Sequence, residues 1–232
     1  MTRPGVYQTD VSFRVCGFWV VFALLFSSPV LQAYELPLSP AALHDAWTLG
    51  QRNDQATAEF LAPYSKEMTG GTQESPHIAQ IDVLTPFAQV LDQSRQNPSH
   101  FSEQEATQAY RQRGDTVIVR IRIMLPASYP QSERGPQSPP ASQGESAVLR
   151  PENFWQSFKF AIKQHGKVLD AHSVHNKPVY SSATKTSASM LDGQTVWLEY
   201  DAKAVASDEI AVEVTTPEGK TITTNFDLRK LR

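Results

Sequence analysis

The sequence predicts a mainly β fold, an antiparallel sandwich preceded by an N-terminal helical segment, α+β overall. Three observations lead there. Val196, Leu198 and Tyr200 alternate with Trp197 and Glu199, and the same step of two recurs in Ile210, Val212 and Val214 and in Ile222, Thr224, Phe226 and Leu228. Successive strand side chains point to opposite faces of a sheet, so this is the rhythm of half-buried strands. Turn signals separate the runs: Thr216-Pro217-Glu218-Gly219 joins the last two, Pro presetting the backbone and Gly accepting a left-handed position. Helical apolar spacing is confined to the chain before Asp115.

Residues 1–33 read as a signal peptide. Arg3 and Arg14 precede an unbroken apolar run at 15–26, Ser27-Ser28-Pro29 interrupts it, and Ala33 offers a small residue for cleavage. The rival reading is a retained membrane anchor over 15–33, which would make the membrane a partner. Twelve apolar residues fall short of the roughly 20 that a spanning helix requires. The expected location is therefore outside the cytoplasm: periplasmic, cell-surface or secreted.

Composition narrows the class further. Of 232 residues 40% are hydrophobic and the net charge is -3, values of a folded protein with no electrostatic attraction for nucleic acid. The one cysteine, Cys16, lies in the leader. A chain starting at Tyr34 has no disulfide, thiol nucleophile or cysteine-based metal site.

Residues 34–114 read as a helical segment with one short strand, packed on the sandwich. Ser39-Pro40 opens a helix with a capping hydroxyl and a first-turn proline. Its stripe of Leu43, Ala46 and Trp47 fades near Gly50 and resumes at Phe60 and Leu61, which predicts two short helices or one bent at Gly50. Residues 64–76 read as loop. Ala79, Ile81 and Val83 mark a strand, and Thr85-Pro86 repeats the cap before a helix carrying Phe87, Val90 and Leu91. Ser102 and Glu105 have the spacing of a capping box, and Gly114 stops that helix.

Residues 115–232 read as the sandwich. Val117, Val119, Ile121 and Ile123 form one strand face, while Arg120 and Arg122 on the other predict solvent or an acidic neighbour. Residues 126–150 hold five prolines and five serines, too little apolar surface to offset the entropy of ordering, which predicts a mobile Pro/Ser-rich loop interrupting the sandwich. His165-Gly166 marks a hairpin turn, with Ile162 facing Leu169, Phe160 facing Ala171 and Lys159 meeting His172. Lys177-Pro178-Val179-Tyr180 fits a short edge strand, where proline is tolerated. Six or seven such strands separated by turns resemble immunoglobulin-like or fibronectin-like sandwiches in pattern, without the cysteine pair of true immunoglobulin domains.

No catalytic constellation emerges. His172 and His175, with His165 and Asp170 nearby, are the candidate metal ligands, but positions three apart on a strand face opposite sides, so shared coordination requires a bulge or loop. The sequence has no G-x-S-x-G elbow and no phosphate-binding loop: Gly70-Gly71 is followed by Thr72-Gln73-Glu74, with no lysine. Trp155 and Trp197 fall on the polar side of their strands and are the candidate contact residues. Arg229-Lys230-Leu231-Arg232 reads as a solvated basic tail. The expectation is an exported non-catalytic module binding a protein or glycan, with no cofactor. The competing readings are an exported hydrolase built around His172 and His175, and a membrane-tethered structural protein.

Overall fold

Strand β3 (Thr116–Met124) is the spine of the molecule. The structure, a computed structural model, describes residues 34–68, 75–126, 152–181, 191–205 and 208–232. The readings of 1–33 and, Pro126 apart, of the loop at 126–150 fall outside them, as does Gly70-Gly71. The described residues are mainly β, in two antiparallel sheets with helices alongside.

The helices form where their caps are. In α1 (Pro40–Arg52) the Ser39 hydroxyl accepts from the Ala42 amide at 3.2 Å. Asp54 caps α2 (Gln55–Leu61), Thr85 caps α3 (Pro86–Gln96), and Ser102 with Glu105 completes the capping box of α4 (Glu103–Arg113). Each such cap contributes about 1 kcal/mol. The break between α1 and α2 falls at Asn53, whose φ of 44° is left-handed, rather than at Gly50. Gly50 stays inside α1 because α3 passes close: a Cβ there would sit 2.4 Å from the Leu91 carbonyl oxygen.

The first sheet holds β1 (Ser65–Glu67), β2 (His77–Leu84), β3, β7 (Leu191–Asp201) and β6 (Ser173–Tyr180), in that order. The second runs β5 (Lys167–Leu169), β4 (Lys159–Gln164), β8 (Glu209–Thr215) and β9 (Thr221–Asp227). Val119 and Ile121 of β3, Val196 and Leu198 of β7, and Ile210, Val212 and Val214 of β8 are buried in one apolar cluster shared by the two sheets. Burying one such side chain contributes roughly 1.5–3 kcal/mol. A second cluster of Leu43, Ala46, Phe87, Leu91 and Ala106 joins α1, α3 and α4, and α3 packs on β2 and β3. Among the described residues, helix therefore covers the outer face of the first sheet over β2 and part of β3, and no helix packs over β7 and β6.

Several elements differ from the sequence reading. Ser65–Glu67, expected in a loop, pairs with β2 as a short edge strand. His165 and Gly166 do form the two-residue turn, with φ of 51° and 77°, and Ile162 faces Leu169. The pairs of Phe160 with Ala171 and Lys159 with His172 do not form, because the chain leaves the second sheet after Leu169 and Ser173 pairs with Glu199 in the first. Trp155 lies in a 3-10 turn (Phe154–Ser157), not on a strand.

The C-terminus is docked through Leu231 and the backbone of Arg232, while the side chains of Arg229, Lys230 and Arg232 remain exposed as expected of a basic tail. Leu231 is buried, the Arg232 amide donates to the Tyr64 hydroxyl at 2.8 Å, and Thr85 Oγ1 donates to the Arg232 carbonyl at 2.5 Å. The Arg232 guanidinium lies 4.4 Å from the Phe87 ring centre and 3.1 Å from Asp45.

Candidate functional site

Register places the candidate residues on the outer face of the first sheet. Asp82 of β2, Arg120 of β3, Trp197 of β7 and His175 of β6 are successive cross-strand neighbours. One step along lies a parallel row: Gln80, Arg122, Thr195 and Lys177. Because Val196 and Leu198 turn into the core, pleating sends Trp197 and Thr195 outward. Beside α3 and the end of α4 this face forms a cleft of about 520 Å³, with Trp197, Thr195, Arg122 and Lys177 on its strand side and Gln93, Gln96 and Asp92 on its helix side.

Arg120 is fixed at the border between helix and sheet. Its Nε donates to Asp82 Oδ2 at 2.7 Å and its Nη1 to Asp92 Oδ2 at 2.8 Å. Arg95 Nη2 and Gln96 Nε2 donate to Asp92 as well, at 2.9 and 2.8 Å, and Gln80 Nε2 to Asp82 at 2.7 Å. Burial alone would lower the Arg120 pKa, but Asp92 and Asp82 outweigh it and hold the guanidinium above its ordinary value. The two buried carboxylates are thus satisfied by two arginines and two amides, the condition under which buried charges are tolerated. The pair of outward arginines signalled this network in the sequence. Arg120 has the acidic neighbours and Arg122 is the one exposed to solvent.

His172 and His175 both reach the Glu199 carboxylate, contrary to the expectation that they face apart. His172 lies just ahead of β6, where its amide donates to the Glu199 carbonyl at 2.9 Å, so strict strand alternation does not apply. The two Nε2 atoms lie 3.4 and 3.5 Å from the two carboxylate oxygens of Glu199. Among the described residues no group of three or more His, Cys, Asp or Glu is arranged to hold a metal ion. His165 is elsewhere, 2.9 Å from Asp208.

Trp197 is half-buried, and its ring stacks on His175 with centroids 5.7 Å apart and planes 20° apart. Trp155 is also half-buried, and both tryptophans pack against the main core, but Trp155 does not line the cleft. The structure therefore does not bring the two tryptophans together at this site. The site offers shape, an aromatic wall and hydrogen-bond donors; Arg113 Nη1 is held 3.2 Å from Gln89 Oε1.

The sequence matches no protein-family model, and comparison with curated proteins gives no match. Among the described residues no helix is long and apolar enough to cross a membrane.

Proposed function

We propose that this protein is an exported, non-catalytic binding module that takes a glycan or protein partner outside the cytoplasm, through the cleft walled by Trp197. Export rests on the leader-like residues 1–33. The observation that supports binding is the half-buried Trp197 standing in a cleft of about 520 Å³, inside the range of roughly 300–1,000 Å³ occupied by small-molecule sites. Tryptophan is one of the residue types, with tyrosine and arginine, enriched among the residues that anchor a partner. The immunoglobulin-like reading of the sandwich draws support from β3, β7 and β6 sharing a sheet as A, E and D strands do. It is opposed by β4, which pairs with β5 and β8 where a B strand would join E. The test of function is ligand capture by the full chain and by Trp197→Ala at matched stability. Loss of capture in the variant supports the reading, and unchanged capture overturns the cleft as the site.

A further inference from the structure

We propose that the cleft is selective for an acidic saccharide, a carboxylated or sulfated sugar whose anionic group is held by Arg122 and Lys177. The inference rests on the cleft being the binding site and adds the chemistry of its ligand.

Charge is the first argument. The chain as a whole carries -3, yet the cleft is lined by Arg113, Arg120, Arg122 and Lys177 against the single carboxylate of Asp92. That carboxylate is already taken, by Arg120 and by Arg95, and Arg120 is shared with Asp82. Among the described residues Arg113 reaches only the neutral oxygen of Gln89. The side chains of Arg122 and Lys177 have no ion-pair or hydrogen-bond partner among the described residues, and both residues are exposed. Glu199, the nearest acidic residue along β7, does not line the cleft and is turned to His172 and His175. A concave surface of one sign in a protein of the other sign concentrates ligands of opposite charge.

Geometry is the second argument. Arg122 and Lys177 flank Thr195 across β3, β7 and β6, so their backbones are roughly 10 Å apart with a hydroxyl between them. Two cations at that spacing can close on one anionic group placed over Thr195, with Arg supplying a planar fork. Gln93 and Gln96 on the opposite wall are neutral groups that pair with hydroxyls. An extended peptide is disfavoured here. Most of the floor is a sheet face on β3 and β7, which are paired on both sides, and peptides recognised through strand addition need an edge, which here only the outer side of β6 offers.

The experiment is calorimetric titration of the purified full chain with digalacturonic acid and a sulfated disaccharide. Lactose, as a neutral disaccharide, and tetraglutamate, as an acidic peptide, run alongside. Both acidic sugars bind, affinity falls as salt rises, and Arg122→Gln/Lys177→Gln weakens binding at least tenfold while its melting curve is unchanged. Equal affinity for lactose, tighter binding of tetraglutamate, binding unaffected by the double variant, or no binding of either acidic sugar each overturns the inference. Trp197→Ala separates the two levels. If it abolishes binding that the charge variant leaves intact, the cleft stands and the anionic ligand falls; if it leaves all binding intact, the cleft itself is wrong.

Discussion

Arg120 Nη1 lies 2.8 Å from Asp92 Oδ2, so a side chain from the middle of β3 is fastened to the middle of α3 and joins the helical layer to the sheet. With Asp82 on the neighbouring strand at 2.7 Å, the same guanidinium fixes the border of the cleft.

Removing that guanidinium leaves two buried carboxylates poorly paired. Arg120→Ala is expected to lose about 3–5 kcal/mol, whereas replacing the triad together with Leu, Met and Leu holds stability or raises it. Urea denaturation measures both. A loss under 1 kcal/mol in the single variant would show that the network does not join the layers.

Two glycines sit where backbones nearly touch. A Cβ on Gly50 would lie 2.4 Å from the Leu91 carbonyl oxygen, and one on Gly193 would lie 2.3 Å from that of Ile123. Neither obstacle is a flexible side chain. Gly50→Ala and Gly193→Ala should each cost about 1–3 kcal/mol or more through overpacking, read as lower thermal midpoints. Gly114 has open space around its Cβ position, but its φ of 76° and ψ of -167° make a conformation essentially reserved for glycine, so Gly114→Ala should cost about 1–3 kcal/mol through backbone strain rather than overpacking.

Alkaline pH should unfold the protein through its tyrosines. Burial, followed by the charge of Asp170, pushes the Tyr200 hydroxyl up to about 12. Burial, with the hydrogen bond to Asp115 next, pushes Tyr110 up to about 12, and burial raises Tyr34 as well. The native state keeps protons that the unfolded chain releases near pH 10. Their contribution is therefore complete below pH 10 and declines as pH rises through 10 to 12. Denaturant midpoints across that window should fall, and less steeply in Tyr200→Phe. A flat profile would mean these hydroxyls ionise without opening the fold.

The docked C-terminus gives a further test. Leu231 is buried and Arg232 is bound at both its backbone amide and carbonyl. Leu231→Ala should lose about 2–5 kcal/mol, as deletion of a buried leucine side chain does. A solvated tail would leave the melting temperature unmoved.

Local signals in the sequence proved legible where one short-range rule decides the outcome. The Ser39, Thr85 and Ser102 caps start helices, His165-Gly166 turns the hairpin, and alternation sends Trp197 away from Val196 and Leu198. What could not be read depends on which elements meet. Gly50 looks like a helix breaker until α3 is seen against it. Ala171 and His172 look like the end of a hairpin strand until the chain crosses to the other sheet. The partners of Arg120 lie 38 and 28 residues away, and the backbone of Arg232 looks free until Tyr64 and Thr85 bind it. The cleft shares this character, since its walls come from α3, α4, β3, β6 and β7 and no single stretch of sequence contains it.

The most direct measurement is the indole N–H signal of Trp197 in nitrogen-15-labelled full chain, identified by its disappearance in Trp197→Phe, during titration with digalacturonic acid. A saturating shift at Trp197, with the Trp47 and Trp155 signals unmoved, is the predicted result. Shifts at Trp47 or Trp155 that leave Trp197 in place would contradict a ligand site in this cleft.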